Sequence, residues 1–297
     1  MDLGTVAGVP VLPLLIGIVL TVVAGVIIIG GLQRIASVAE KIVPVMASLY
    51  IVGVMVLFCM NIDQVGAIFT SIFRFAFGVK AVAGGTAGVV LSQVITQGCK
   101  RGVFSNEAGL GSSVMIHASS DVKEPVKQGM WGVFEVFFDT FVICTMTAVV
   151  VLSSGYVDLE TGAVMAGVND ATLVSQAFGN AFGAFGEMFI AVAILLFAFT
   201  TILGWSQYGC RAVEYLFGRQ AAKVFRVIFV LITSAGAVMS STLAWDISDT
   251  FNGLMMMPNL IGVITMTPLI ARITQNYVNR NIKGKDEPAM LSYLNEE

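Results

Sequence analysis

The chain has 297 residues, of which 57% are hydrophobic and only 12% are charged, and its mean hydropathy is +0.88. Soluble domains carry about 25% charged residues, so this composition indicates a protein that folds in a lipid bilayer. A net charge of −3 predicts no nucleic-acid partner. The single histidine and the four cysteines, which lack CxxC spacing, predict no metal centre and no bound cofactor.

Several apolar stretches are long enough for membrane-spanning helices, which need about 20 mainly apolar residues. They cover residues 12–31, 43–61, 83–119, 129–153, 185–208, 224–243 and 251–273. Backbone groups in lipid must pair within their own segment, so each stretch is predicted to be helical. We therefore predict an all-α integral membrane protein with about seven transmembrane segments.

The distribution of lysine and arginine among the connecting segments predicts the orientation. The basic segments are 32–42, 120–128, 209–223 and the tail after residue 273. Segments 154–184 and 244–250 contain neither lysine nor arginine. The positive-inside rule therefore predicts that the basic segments and the C-terminus are cytoplasmic, in a plasma (inner) membrane.

Residues 62–82 are the exception, because Arg74 and Lys80 fall on the predicted outer side. The apolar residues of "FTSIFRFAFGVK" predict an amphipathic helix that lies along the membrane surface; they are Phe69, Ile72, Phe73, Phe75 and Phe77. Seven crossings with a cytoplasmic C-terminus put the N-terminus outside, although no signal peptide is evident. This conflict predicts that earlier spans are missing from the chain.

The third stretch is too long for one straight span. A helix from Gly84 to Ser120 would be about 55 Å long, against a hydrocarbon core of about 30 Å. The glycine-rich run "KRGVFSNEAGLGS" is the predicted break, and broken helices mark substrate sites in secondary transporters. The alternative is a short cytoplasmic loop between two ordinary spans. It is less favoured, because it would move the basic segment 121–128 to the other side.

The run "RGVFSNEAGLGSS" and the later "KEPVKQGMWGVFEVFFDTFVICTMTAVVVL" resemble the alanine or glycine:cation symporter family. The resemblance extends upstream to "GLQRIASVAEKIVPVMASLYI" and downstream to "FAFTTILGWSQYG". It implies a LeuT-type fold of two inverted five-helix repeats, each opening with a broken helix. The first broken helix has no counterpart here, so the resemblance implies an incomplete fold with one broken helix.

On this resemblance the chain is a single transporter domain with three parts. Residues 1–82 are the end of the first repeat plus the interfacial helix, residues 83–273 are the second repeat, and residues 274–297 are a cytoplasmic tail. The residues expected to bind substrate at or near the break are Phe104, Ser105, Asn106, Glu107, Gly109 and Gly111. The alternative for Asn106 and Glu107 is that they pin the two half-helices together without touching substrate.

The adjacent hydroxyls of Thr200 and Thr201 are expected to bind sodium, the implied coupling ion, because hydroxyl oxygens suit a hard cation. The alternative is that each hydroxyl bonds to the carbonyl one turn earlier in its own helix. Trp205, about one turn onward, either lines the substrate pocket or belongs to the interfacial aromatic belt.

Glu135 and Asp139 are four residues apart and share one face of a predicted span. A structural pairing, with Lys100 or Arg101 as candidate partners, is favoured over a proton relay. His117 is assigned to helix packing.

Hypotheses from three classes remain. Sodium-coupled symport of small neutral amino acids, alanine or glycine, is preferred, with the substrate, sodium and the lipid bilayer as partners. A membrane-embedded enzyme using Glu135 and Asp139 ranks far below it, so no enzyme is predicted. The third is a truncated, non-transporting fragment, or a subunit that requires the missing N-terminal helices. Alanine, glycine and serine are alternative substrates, and proton is the alternative to sodium as the coupling ion.

Overall fold

The structure is a computed structural model that describes residues 5–6, 9–77, 87–165, 168 and 172–291. Its helices are α1 (Val11–Ile29), α2 (Leu32–Met60), α3 (Val65–Phe77), α4 (Ala87–Asn106), α5 (Val114–His117), α6 (Pro125–Phe137), α7 (Cys144–Ser153), α8 (Leu173–Phe182), α9 (Ala184–Gly236) and α10 (Ser241–Asn281). A π-helix, Phe138–Ile143, joins α6 to α7. Two short antiparallel strands of two residues each, β1 (Thr5–Val6) and β2 (Val9–Pro10), precede α1. Lys80 and residues 83–86 of the third predicted span lie outside the described residues.

The helical, membrane-protein class predicted from composition is confirmed. Across the described ranges, five helical stretches are long and apolar enough to cross a membrane: α1, α2, the stretch from α6 to α7, α9 and α10. The longest, α9, has 53 residues and is interrupted at Gly218, whose φ is 82°. The predicted span 185–208 and most of the predicted span 224–243 therefore lie on the two sides of one interrupted helix, which ends at Gly236.

Several predicted loops are wrong because the helices continue through them. Segment 32–42 lies in α2, segment 244–250 lies in α10, and segment 209–223 is helical on both sides of Gly218. The first two segments contain neither glycine nor proline. Segment 32–42 is rich in good helix formers, which extend a helix beyond its apolar part, so hydropathy alone places the start of α2 too late.

Two compact units are present, and the first comprises residues 1–95 and 143–246. One of its buried clusters contains Ala24, Ile28, Ile35, Phe199 and Leu203, from α1, α2 and α9. The other contains Val54, Leu57, Val150, Ala177, Phe178, Ile190 and Ala193, from α2, α7, α8 and α9. Since Thr200 and Thr201 directly follow Phe199, the first cluster fixes the position of both hydroxyl-bearing residues in this unit.

The helix α1 packs closely against the part of α9 that follows Gly218. A Cβ atom on Gly17 would lie 2.5 Å from the Cβ of Ala237, the residue that follows α9, so only glycine permits this approach. The Oγ1 of Thr21 and the Oγ of Ser234 are 2.8 Å apart and form a hydrogen bond between the same two helices. Small residues and interhelical hydrogen bonds are the usual basis of helix association in membranes.

We expect Gly186→Ala to destabilise the first unit. A Cβ atom on Gly186 would lie 2.1 Å from the backbone carbonyl oxygen of Phe178, which belongs to α8 and cannot turn aside as a side chain can. Overpacking of this kind costs about 1–3 kcal/mol. Thermal unfolding in detergent should show a lower midpoint for this variant than for Gly204→Ala, where a Cβ atom would meet nothing within 4 Å. Equal midpoints would contradict the prediction.

The second unit, residues 96–142 and 247–297, depends more on polar contacts. Among its described residues only Leu110 and Ser112 are buried, with 3% and 0% of their surfaces exposed. The long helix α10 contributes no buried residue. This unit contains the glycine-rich run, so the polar contacts that follow fix the geometry of the predicted substrate site.

Candidate functional site

The predicted helix break lies where the glycine-rich run placed it. Helix α4 ends at Asn106, the next residues form turns, and helical structure resumes at Val114. Glu107 has φ 57°, and no other non-glycine residue among those described has a positive φ. A left-handed backbone at a glutamate carries strain, which is typical of functional sites. The carbonyl of Glu107 accepts hydrogen bonds from the amides of Leu110 and Gly111, at 3.0 and 3.1 Å.

The residues just before the break are held by the π-helix. The Ser105 hydroxyl donates to the carboxylate of Asp139, and Asn106 Nδ2 donates to the Oγ1 of Thr140 at 3.1 Å. A π-helical turn is rare and often lies at a functional site. In this protein the π-helical turn contains Asp139 and Thr140, the two consecutive polar residues that contact the end of α4. The predicted residues Phe104 to Glu107 are all half-buried.

The carboxylate of Glu107 has a partner inside the break. Ser112 Oγ donates to Glu107 Oε2 at 2.8 Å, and Ser112 is completely buried. The Oδ1 of Asn106 accepts a hydrogen bond from the amide of Ala108 at 3.1 Å. Both contacts are those expected if Asn106 and Glu107 hold the half-helices in place, which is the alternative to direct contact with substrate.

Asn259 on α10 holds the middle of the break, a contact that sequence reasoning missed. Its Nδ2 donates to the carbonyl oxygens of Ala108 and Gly109, at 3.2 and 2.9 Å. A Cβ atom on Gly111, whose φ is 76°, would lie 2.4 Å from the Oδ1 of Asn259. Glycine at position 111 therefore permits both the backbone conformation and the approach of this side chain. The available signal was a polar residue after Pro258 within an apolar span.

The basic residues near the end of α4 pair with Asp249 of α10. Lys100 Nζ lies 2.5 Å from Asp249 Oδ2, and Arg101 Nη1 lies 3.4 Å from Oδ1. The acidic partner of Lys100 and Arg101 is therefore Asp249, where the sequence suggested Glu135 or Asp139. Asp249 belongs to the predicted connecting segment 244–250, but in the structure it lies within the continuous helix α10, and its side chain is only 11% exposed.

His117 ends the short helix α5 and contacts α6. Its Nε2 lies 3.1 Å from the Oε2 of Glu135, and its Nδ1 lies 2.6 Å from the Nε2 of Gln128. Glu135 and Asp139 share one helix face, as their spacing predicts, and they contact residues on opposite sides of the break. Helix packing alone is thus an incomplete description of His117.

The predicted sodium ligands and Trp205 belong to the first unit. The Thr200 hydroxyl lies 3.1 Å from the carbonyl oxygen of Leu196 and 3.0 Å from that of Phe197, so it shows the alternative bond within its own helix. It also lies 3.5 Å from Met46 Sδ, and a thioether is a poor ligand for a hard cation. The Thr201 side chain is exposed.

Trp205 is half-buried in α9, about one turn beyond Thr201. Its ring packs edge-to-face on Tyr208, with 5.5 Å between the ring centroids. This contact fixes the indole on one side of α9.

Within the second unit, an ion pair joins the end of α10 to the residue that precedes α6. The guanidinium of Arg280 donates to the carboxylate of Glu124, and the side chains are 18% and 17% exposed. This hydrogen bond lowers the pKa of Glu124 below its ordinary value, and the nearby charge of Lys127 contributes in the same direction. The carboxylate therefore stays charged to a lower pH than an ordinary glutamate.

The fold and site define a multi-pass membrane protein with a helix that unwinds at a polar, hydrogen-bonded turn. The chain belongs to the sodium:alanine symporter family, which it matches over residues 3–291. It is 38% identical to an uncharacterized transporter of Haemophilus influenzae, over 91% of this chain and 58% of that protein. It is 35% identical to the sodium/alanine symporter AgcS of Methanococcus maripaludis, over 91% of this chain and 58% of that protein.

A sodium/proton-dependent alanine carrier protein of Bacillus sp. strain PS3 is 32% identical, over 92% of this chain and 63% of that protein. The chain thus spans about three fifths of the length of these relatives. Family membership confirms the resemblance found in the motifs, and it identifies the protein as a transporter-family member that resides in a membrane.

Proposed function

We propose that the protein takes part in sodium-coupled symport of a small neutral amino acid, alanine or glycine, across the plasma membrane. The observation that carries the proposal is the break between Asn106 and Val114, with its positive-φ glutamate and its polar partners. A helix that ends in mid-chain leaves amide and carbonyl groups outside its hydrogen-bond ladder. Such groups can bind the carboxylate and ammonium of an amino acid.

In this proposal the residues of the break have two roles, substrate contact and positioning of the turn. The backbone from Ser105 to Gly111 and the hydroxyl of Ser105 contact the amino acid, and Phe104 packs near its small side chain. Asn106 and Glu107 contribute by fixing the turn through the Thr140 and Ser112 contacts. This arrangement favours a positioning role for Glu107 over direct contact with substrate.

Sodium is the proposed coupling ion, with Thr200 and Thr201 as two of its ligands. A threonine that donates its hydrogen to a helix carbonyl keeps oxygen lone pairs able to coordinate a cation. The contact of Thr200 with Leu196 is therefore compatible with sodium binding. Trp205 is proposed to line the substrate pocket, since it lies about one turn from Thr201 on α9.

The finer architecture is also part of the proposal. We infer about seven spans in a LeuT-type inverted-repeat fold, with the second repeat in residues 83–273 and a cytoplasmic tail after it. Support comes from the break at Gly218, which divides α9 into two helices. The lysines and arginines of the tail after residue 273 support a cytoplasmic C-terminus under the positive-inside rule.

The alternatives receive less support. The relatives with a functional description are carriers, which favours transport over a membrane-embedded enzyme and over a non-transporting remnant. Because the chain spans only part of those relatives, transport by these 297 residues alone is the point that an experiment must decide.

The proposal is tested by uptake of labelled alanine into proteoliposomes that contain the purified chain. We expect an inward sodium gradient to drive uptake, and potassium to leave it at background. Thr201→Ala should raise the sodium concentration needed for half-maximal uptake by about tenfold, the effect of losing one ligand worth about 1.4 kcal/mol. The matched control is Thr267→Ala, an exposed helical threonine bonded to Val263. Uptake that is equal in sodium and potassium would refute the coupling.

A further inference from the structure

His117 is the single histidine of the chain, and both of its ring nitrogens have polar partners. The amide nitrogen of Gln128 is a donor, so the Nδ1 that faces it is the acceptor. The remaining ring nitrogen, Nε2, then carries the proton and donates to the carboxylate of Glu135. With this amide orientation the neutral ring carries its proton on Nε2, and Nδ1 takes a further proton only when the Gln128 amide turns.

The same contacts accommodate a protonated ring after a single rotation. If Nδ1 gains a proton, the Gln128 amide can turn so that its oxygen accepts from Nδ1. The contact with Glu135 then joins a positive ring to the negative carboxylate, and this ion pair is stronger than the hydrogen bond from the neutral ring. Histidine is the side chain that ordinarily changes charge near neutral pH.

This pair lies where protonation can act on the break. Ser105 and Asn106, before the break, bond to Asp139 and Thr140. His117, after the break, bonds to Gln128 and Glu135, which lie on α6, the helix continuous with the π-helix. One continuous helical stretch thus holds both sides of the unwound segment. A change in the His117 contact changes how firmly the second side is held.

The charged groups around this pair have other partners. On the same helical stretch, Asp139 accepts the hydrogen bond of Ser105, and Lys127 lies 3.5 Å from Glu124. Glu107, in the break, accepts from Ser112. The groups that contact the imidazole itself are Glu135 and Gln128.

We propose that His117 and Glu135 form a proton-binding site that is coupled to the amino-acid site. The proton enters on Nδ1 of His117, is stabilised by the carboxylate of Glu135, and leaves from the same nitrogen on the other side of the membrane. The proposal rests on the proposed transport function, and it adds a second coupled cation at named residues.

The first test measures protons and alanine together in proteoliposomes that contain a pH-sensitive dye, with equal sodium on both sides. We expect addition of alanine to the outside to acidify the interior of wild-type vesicles. His117→Gln and Glu135→Gln should move at least about tenfold fewer protons per alanine than wild type, whatever their rate of alanine uptake. Glu160→Gln, which changes an exposed carboxylate in the first unit, is the control and should match wild type.

The second test does not depend on transport. In a chain with one histidine, ¹⁵N-histidine labelling gives the resonances of one imidazole without assignment. We expect a neutral ring protonated on Nε2 at high pH, a charged ring at low pH, and a change in the charged fraction when alanine and sodium are added.

The outcomes separate this proposal from the proposed function. Sodium-driven uptake with no proton movement, or a ring that keeps one protonation state between about pH 5 and 8, overturns the proton site and leaves sodium symport standing. Failure of sodium-driven uptake refutes the proposed function. In that case the labelled ring still decides whether His117 binds a proton in response to alanine.

Discussion

Replacing Gly111 with alanine is expected to reduce sodium-driven alanine uptake by about tenfold to a hundredfold. The residue has φ 76°, and an L-residue in that conformation costs roughly 1–2 kcal/mol. The new Cβ atom would lie 2.4 Å from the Oδ1 of Asn259, so the Asn259 side chain must move. Its hydrogen bonds to Ala108 and Gly109 would then be lost or weakened, at about 1 kcal/mol each.

The matched control for this variant is Gly102→Ala. Gly102 lies within α4 of the same unit, and a Cβ atom there would meet nothing within 4 Å. Alanine is the better helix former, so this control should keep wild-type uptake. Equal uptake by both variants would show that the turn at Gly111 does not shape the transport site.

Asp139→Asn is expected to reduce uptake by about tenfold or more. The Ser105 hydroxyl donates to this carboxylate, and a hydrogen bond to a charged group is worth roughly 1.5–3 kcal/mol. Asparagine keeps the size of the side chain while removing its charge, so the packing of the π-helix is preserved. Asp121→Asn, an exposed carboxylate in the turn before α6, should be neutral.

A double-mutant cycle with Ser105→Ala shows whether the Ser105 contact causes the loss. If the bond carries the effect, the two substitutions together should cost clearly less than the sum of the two single losses. Independent residues add to within about 0.3–0.5 kcal/mol. Additive losses would therefore contradict a functional bond between Ser105 and Asp139, even if each variant were impaired.

The helical class and the break could be predicted from the sequence, because both depend on local composition and length. The apolar stretches located the helices, and the excess length of the third stretch required an interruption among its glycines. The helix ends were less predictable. Segment 32–42 has good helix-forming residues, so α2 begins at Leu32 and not at the first residue of the apolar run.

The partners of the break could not be predicted, because they depend on contacts between distant parts of the chain. Asn259 is 150 positions from Gly109, and Asp249 is 148 positions from Arg101. The π-helix is equally hidden, since its residues continue the apolar, phenylalanine-rich pattern of α6. A local pattern identifies a polar residue within a span as important, but it does not identify the carbonyl or hydroxyl that it contacts.

The polar contacts of the break are a physical basis for the proposed coupling. The second unit has few buried residues among those described, so its unwound segment is held mainly by the hydrogen bonds that Asp139 and Thr140 accept and that Asn259 donates. A bound cation that orders such a segment lowers the conformational cost of binding the amino acid. By linkage, the amino acid must then strengthen the binding of the cation by the same factor.

The most direct test of this account is equilibrium binding of labelled alanine to the purified chain, measured in sodium and in potassium at equal ionic strength. We expect saturable binding in sodium that weakens at least about tenfold in potassium, and a comparable loss in Gly111→Ala, whereas Gly102→Ala should bind as wild type does. Folded chain that binds alanine equally in both salts, or not at all in either, would contradict a sodium-organised amino-acid site at the break between Asn106 and Val114.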